Sequence, residues 1–113
     1  MAFIKNIEHD KVLSLAGEIN VQPGQIVSKT LAQNNAVSIT LFAFSKGEEI
    51  STHSSSGDAM VQVLEGAGRF TVGGKARFCR AGDVLIMPAA VPHAVYAVED
   101  FKWLLTVVFP IDG

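Results

Sequence analysis

The stretches GEEISTH at residues 47–53 and GDVLIMPAAVPH at residues 82–93 decide the fold of this chain. Each stretch opens on a glycine and ends on a histidine, so His53 and His93 stand in similar frames. Gly66 then closes the segment that follows the first histidine. Glycine and proline at these points divide the chain into short segments, which is typical of strands joined by turns.

The segments between these glycines and prolines are rich in Val, Ile, Thr and Phe, and their spacing indicates an all-β sandwich or barrel. Helical periodicity is weak, with one candidate turn at residues 11–16. We predict hairpin turns at Gly66–Gly68 and Gly73–Gly74, and a further turn at Glu99–Asp100. The predicted strands span residues 25–32, 36–45, 58–65, 69–72, 75–79, 83–87, 93–98 and 101–109.

The composition fits one compact domain. The chain has 113 residues, of which 49% are hydrophobic and 18% charged, and this balance argues against disorder. A net charge of −2 gives no electrostatic basis for binding nucleic acid or an anionic membrane. No apolar run is long enough to span a bilayer and no secretory signal pattern is present, so we expect a cytoplasmic protein. We predict a single domain over residues 1–113, with an N-terminal arm over 1–24 and a barrel over 25–109.

The frame of glycines, proline and histidines resembles the signature of the cupin family, whose small β-barrels hold a metal or small ligand in the barrel mouth. The resemblance covers residues 36–109 and implies a double-stranded β-helix, or jelly-roll, barrel. Ala90 and Ala97 depart from the second part of the pattern, which has Gly and Asn there. The matching positions are Gly47, His53 and Gly66 in the first part and Gly82, Pro88 and His93 in the second.

The resemblance also implies a metal site, but two of its four ligand positions have changed. Ser55 stands where the family has a second histidine, and Ala59 stands where it has a glutamate. This leaves His53 and His93 as candidate ligands for a divalent transition metal. Catalytic sites for such metals generally use three protein ligands and an open position, so a third group is required.

Two residues are candidates for that third group. Asp58 adjoins the lost glutamate position, and strand alternation points it away from the barrel interior if Ala59 points inward. A bulge at Gly57 would turn Asp58 inward. His9 lies in an N-terminal segment that would have to cross the barrel mouth, and its alternative role is that of a solvated surface residue.

The alternative to a metal centre is a polar ligand pocket. A buried histidine requires partners for its ring nitrogens, because an unpaired polar group costs free energy in an apolar interior. Two inward histidines beside serines therefore indicate a small-molecule site within an apolar barrel. Strand alternation predicts the pocket lining as His53, His93, Ser51, Ser55, Ala59, Val61 and Val95.

Three functions are consistent with these residues. The first is a barrel that binds a small polar or anionic molecule at His53 and His93. The second is a metal-dependent enzyme, dioxygenase- or isomerase-like, that uses the same histidines as ligands. The third is a non-catalytic dimeric scaffold with a filled interior. Cys79 is expected to be a buried small hydrophobe rather than a nucleophile.

The final strand predicts a homodimer. Residues 103–109 are apolar at almost every position, and a strand with two apolar faces is buried on both of them. In a barrel of one domain, a second subunit would cover the outer face of this strand. The alternative is that the N-terminal arm covers it.

Overall fold

The computed structural model describes residues 2–111, which form nine β-strands and one short 3₁₀ helix at Leu15–Glu18. Within this part of the chain, no helix is long and apolar enough to cross a membrane. The strands are β1 (Ile26–Gln33), β2 (Val37–Phe44), β3 (Glu49–His53), β4 (Asp58–Glu65), β5 (Ala67–Val72), β6 (Lys75–Arg80), β7 (Val84–Met87), β8 (His93–Ala97) and β9 (Phe101–Val108).

The strands form two antiparallel sheets. One sheet has the order β1-β2-β9-β4-β7 and the other has the order β3-β8-β5-β6. From β2 onward the chain changes sheet at every connection except that between β5 and β6. This is the arrangement of a double-stranded β-helix, and it confirms the predicted all-β fold.

The predicted strand limits agree with the structure to within two residues, except that β3 was not predicted as a strand. Strand β4 has the predicted limits. The candidate helical turn at residues 11–16 lies too early, since the 3₁₀ helix occupies Leu15–Glu18. The alternation of β4 is as predicted, because Ala59, Val61 and Val63 are buried while Gln62 is exposed.

The predicted hairpin at Gly66–Gly68 is wrong. Strand β4 pairs with β7 and β9, whereas β5 pairs with β6 and β8, so this segment carries the chain from one sheet to the other. Gly66 has φ +76°, and a Cβ there would collide with the carbonyl oxygen of Asp100. The glycine thus permits a crossover rather than a tight hairpin. Gly73–Gly74 does form the predicted hairpin, between β5 and β6. Glu99–Asp100 joins two strands of opposite sheets.

One end of the barrel is filled by aromatic side chains. Trp103 lies parallel to Phe42 and Phe101, with ring centroids 4.7 and 6.0 Å apart. Phe44 and Phe70 pack edge-on against it at 5.6 and 5.2 Å. Aromatic pairs in these geometries contribute about 0.5–1.5 kcal/mol each beyond their burial. This aromatic end is therefore a rigid, closed part of the core.

The N-terminal arm covers part of the outer face of the five-stranded sheet. Ile19 is buried against Leu41 and Ala43 in a second apolar cluster. Lys102 Nζ donates to the carbonyl oxygen of Ala16 at 2.7 Å, and Lys29 Nζ donates to that of Glu18 at 3.3 Å. Over this part of the sheet, the N-terminal arm therefore covers the outer face.

Candidate functional site

A bulge in β3 brings the two histidines together. Strand β3 pairs with β8 through Ile50 and Val95, and the next pair is His53 with His93. In a regular register Thr52 would stand opposite His93, and His53 would point to the other side of the sheet. The bulge adds one residue to β3 and returns His53 to the face of its partner.

The imidazole rings of His53 and His93 are in contact. Their centroids are 4.3 Å apart and the ring planes are inclined by 71°. His93 is 4% exposed, whereas His53 is exposed to solvent. The pair therefore has one ring set into the barrel and one at its rim.

Each histidine is oriented by a carbonyl two residues earlier in the chain. His53 Nδ1 donates to the oxygen of Ser51 at 2.9 Å, and His93 Nδ1 donates to that of Val91 at 3.2 Å. Because a carbonyl oxygen only accepts, each ring must carry a proton on its Nδ1. In the neutral form each Nε2 then carries a free lone pair.

Burial lowers the pKa of His93, and the neighbouring His53 lowers it further, although the hydrogen bond to Val91 acts in the opposite direction. The ordinary value is 6.5, so His93 is neutral at pH 7. A neutral, buried imidazole with a free Nε2 is a hydrogen-bond acceptor or a metal ligand.

The hydroxyls of the two predicted serines make no described hydrogen bond to the imidazole rings. Ser51 has an exposed side chain and orients His53 through its carbonyl. Ser55 Oγ accepts from the amide of Gly57 at 3.2 Å, and its carbonyl accepts from the amide of Ala90 at 2.8 Å. Ser55 thus helps to hold together the loops that follow β3 and β7.

The other predicted lining residues are buried in the apolar core. Ala59, Val61 and Val95 are 2%, 0% and 2% exposed. Ala59 pairs with Met87 on one side and Val107 on the other. The position at which the resemblance implies a carboxylate is therefore a small apolar part of the barrel wall.

Neither candidate third ligand joins the histidines. Asp58 pairs in regular register with Val108, so the bulge that would turn it inward is absent there. Its Oδ1 accepts from the amide of Ala89 at 2.8 Å. His9 Nε2 donates to the carbonyl of Ile4 at 2.6 Å. Among residues 2–111, no three His, Cys, Asp or Glu side chains are grouped to hold a metal, so the described side chains do not fit a three-ligand centre.

Hydroxyl side chains on β1 and β2 form a wall that the sequence analysis missed. Thr30 and Thr40 pair directly, and Thr40 shares the inner face of the sheet with Phe42. Ser38 continues this face, and it lies in one cross-strand row with Val107 and Ala59. The signal was present as alternating hydroxyls in the two strands, at positions 28 and 30 and at positions 38 and 40.

Three surface hollows, of about 630, 440 and 270 Å³, lie away from the histidine pair. The first is lined mainly by residues 34–36 and 109–111, the second by the N-terminal arm with Leu31 and Ile39, and the third by residues 56–58 with the C-terminal strand. Neither His53 nor His93 lines any of these three hollows. The pocket at the pair stays a prediction.

The buried thiol of Cys79 takes no part in this site. Burial raises its pKa, and the neighbouring carboxylate of Asp83 raises it further. A thiol with a raised pKa is a weak nucleophile, because the thiolate is the reactive form. Cys79 is part of the main apolar cluster, as predicted.

The sequence matches a family model described as "Cupin domain" over residues 40–109. A search of curated protein sequences finds no significant match. Among solved structures, a conserved protein of unknown function from Streptococcus pyogenes is 46% identical, with a TM-score of 0.97, and the match covers 99% of this chain and 98% of that one.

Two further structures are similar. A cupin superfamily protein from Desulfitobacterium hafniense is 32% identical, with a TM-score of 0.91, over 96% of this chain and 100% of that one. A Cupin 2 conserved barrel domain protein from Leptotrichia buccalis is 40% identical, with a TM-score of 0.83. That match covers 85% of this chain but 47% of the other, which is therefore about twice as long as the matched barrel.

Proposed function

The chain belongs to the cupin family, and we propose that it binds a small polar molecule at His53 and His93. The observation that carries the proposal is the pair of oriented imidazoles. Their centroids are 4.3 Å apart, and each Nδ1 is tied to a carbonyl. This leaves the Nε2 atoms of both rings available to a ligand.

The neutral state of His93 favours a ligand that donates hydrogen bonds. A free Nε2 accepts a hydrogen bond from a hydroxyl or an amine, whereas binding an anion requires a protonated ring. Burial keeps His93 neutral at pH 7. We therefore expect small molecules with hydroxyl groups to bind better than simple anions.

The hydroxyl wall supports the same preference. Ser38 and Thr40 lie partly buried on the inner face of β2, and each hydroxyl both donates and accepts. Ala59 lies in the same row as Ser38 and takes little space. A ligand at the rim would meet hydroxyls on one side and imidazoles on the other.

A titration followed by NMR tests this proposal. Isotope-labelled protein is titrated with xylitol, D-glucose and sodium acetate, and the backbone amides near both histidines are monitored. We expect the hydroxylated probes to shift these amides, and His53→Ala to weaken their binding about tenfold, or 1.4 kcal/mol. His9→Ala, which removes another exposed histidine, is the matched control and should change nothing. Unchanged affinities in His53→Ala would contradict the proposal.

A second candidate is a metal-dependent enzyme of the dioxygenase or isomerase type. The free Nε2 atoms favour it, since a hydrogen-bonded Nδ1 is the usual arrangement of a metal-ligating histidine. The missing third side chain opposes it. Elemental analysis of the purified protein, before and after chelation, separates the candidates. Close to one transition metal per chain, lost in His53→Ala, would favour the enzyme, and a weak or absent metal signal would reject it.

A further inference from the structure

The indole N–H of Trp103 is a buried donor that no described protein atom satisfies. Trp103 is 1% exposed, and its Nε1 has no hydrogen-bond partner among residues 2–111. Buried donors in native proteins are nearly always paired, because an unpaired one destabilises the fold. This N–H therefore requires an acceptor that the described residues do not supply. The rings packed around it offer only π faces, which are weaker acceptors than oxygen, and they belong to Phe42, Phe44, Phe70 and Phe101.

Space inside the barrel leads to this indole. Strand β9 lies between β2 and β4 in its sheet, so solvent reaches a side chain on the inner face of β9 from within the barrel. Leu105, the inner-facing residue next to Trp103 on this strand, is only partly buried. Thr40, its partner on β2, and Phe42, the partner of Trp103, are partly buried as well. We call the space between Thr40, Phe42 and Leu105 the inner recess, and Trp103 lies at its closed end.

The inner recess lies within reach of the histidine pair. Trp103 packs against Phe70 with ring centroids 5.2 Å apart, and Phe70 pairs with Val95. Val95 is the next inner-facing residue after His93 on β8. Two residues along a strand span about 7 Å. A small ring compound is therefore long enough to contact both His93 and the indole.

The surroundings of the indole select a neutral oxygen as its acceptor. Trp103 belongs to the main apolar cluster, whose members carry no charge. A carboxylate or phosphate would lose its hydration there without a cation to pair with, so burial disfavours an anion. A carbonyl or ether oxygen loses less hydration and still accepts from the N–H. Phe42, which is partly exposed beside the indole, offers apolar contact to the carbons next to that oxygen.

We propose that Trp103 determines ligand specificity by donating from Nε1 to a neutral carbonyl or ether oxygen of the ligand. This role deepens the binding function proposed above, and it rests on that function in one respect, that the same molecule also contacts the histidines. The ligand is then a small neutral molecule with hydroxyl groups at the end that meets His53 and His93, and with the acceptor oxygen at the other end. Small hydroxyketones, lactones and cyclic ethers meet this description.

NMR of the indole group tests this role in the unmodified protein. Trp103 is the sole tryptophan of the chain, so its Nε1–H gives one resonance in a ¹H–¹⁵N spectrum. Cyclopentanone, which has a carbonyl and no hydroxyl, is the probe. We expect a nuclear Overhauser contact between the indole proton and the ring protons of cyclopentanone, and a downfield shift of the indole proton as the hydrogen bond forms. No contact up to the solubility limit of the probe, or a water molecule that stays on the indole proton throughout, would overturn the inference.

Trp103→Phe keeps an aromatic ring and removes the donor. We expect the dissociation constant of cyclopentanone, followed through the backbone amides, to rise about fivefold, the usual effect of one hydrogen bond. Phe78→Leu is the matched control, because Phe78 is 67% exposed on the other sheet, and it should leave this constant unchanged. Equal affinities of Trp103→Phe and the unmodified protein would overturn the inference. Circular dichroism verifies that each variant is folded, and the indole contact in the unmodified protein decides the matter if Trp103→Phe is not.

His53→Ala separates the role of Trp103 from the proposed function. We expect this variant to bind xylitol more weakly and to keep the contact between cyclopentanone and the indole, and loss of that contact would overturn the inference. If xylitol fails to bind at the histidines while cyclopentanone contacts the indole, the proposed function fails and the donor role of Trp103 stands. If xylitol binds and cyclopentanone makes no contact with the indole, the donor role fails and the proposed function stands.

Discussion

The two ends of the barrel interior are built from different side chains. At one end, Phe44, Phe70, Phe101 and Trp103 are fully buried and pack ring against ring. At the other end, His53 and His93 contact each other ring to ring, and His93 is buried. Close packing at the aromatic end supplies stability, whereas the histidine end is where we propose that a ligand binds.

The largest effect is expected from breaking the aromatic end. Trp103→Ala removes a ring that contacts four others, and truncations of this kind cost about 3–5 kcal/mol. Urea unfolding measures the loss, with the exposed Phe78→Ala as the control, for which we expect less than about 0.5 kcal/mol. A loss below 1 kcal/mol for Trp103→Ala, small beside that expectation, would mean that the aromatic end does not carry the stability.

A carboxylate at the histidine end should restore the missing metal ligand. Ala59→Glu buries a charge between Met87 and Val107, so we expect destabilisation of several kcal/mol without metal. Zinc at a concentration one hundred times its dissociation constant should raise the free energy of unfolding of this variant by about 2.7 kcal/mol. Thermal unfolding with and without zinc measures both changes.

Ala59→Gln is the control for this restoration, because it has nearly the same shape and no charge. We expect zinc to stabilise Ala59→Glu and to leave Ala59→Gln unchanged. Equal responses of the two variants would show that position 59 does not face the histidines. The histidine end would then not have the geometry that the resemblance to cupins implies.

Acid should destabilise the folded protein through His93. The pKa of His93 is lowered in the folded protein, mainly by burial, so the unfolded chain binds more protons between that pKa and the ordinary value of 6.5. The contribution of His93 is therefore complete above pH 6.5 and is lost as the pH falls toward the folded pKa. Urea unfolding across this range measures it. His93→Gln should flatten the profile, and an unchanged slope would contradict the assignment.

The smallest effect is expected at the hydroxyl wall. Thr40→Val keeps the shape of the side chain and removes one hydroxyl, so stability should change by less than about 1 kcal/mol. Binding of a hydroxylated probe should weaken by about 0.5–1.5 kcal/mol, the usual contribution of one hydrogen bond. Calorimetry measures the binding, and Thr106→Val on the outer face is the control. Equal weakening by both variants would remove the wall from the site.

The sequence predicted the fold well because its turns are local. Gly73–Gly74 specifies a hairpin by backbone conformation alone, and both glycines have positive φ. Alternation correctly placed Ala59 and Val61 in the interior. Gly66 was misread because a glycine permits a turn without specifying which strands pair, and that choice depends on long-range contacts.

The site was less predictable than the fold. Glycine spacing identified His53 and His93, but their contact depends on a bulge in β3 that has no recognisable sequence signal. The alternation of hydroxyl side chains in β1 and β2 places Thr30 and Thr40 on a common face of the sheet. Whether that face points into the barrel depends on the pairing of β2 with β9, which the sequence does not indicate. His9 is exposed, in agreement with its alternative role as a surface residue, because the arm follows β1, where the backbone amide of Lys5 donates to the carbonyl of Leu31.

The most direct test of the histidine site is a long-range ¹H–¹⁵N correlation spectrum of the imidazoles at pH 8, about 1.5 units above the ordinary histidine pKa. We expect both His53 and His93 to carry their proton on Nδ1, and xylitol to shift their Nε2 resonances. His9, whose Nε2 donates to Ile4, should show the opposite tautomer and no response. A proton on Nε2 of either paired histidine, or Nε2 resonances insensitive to xylitol, would contradict ligand binding at the pair.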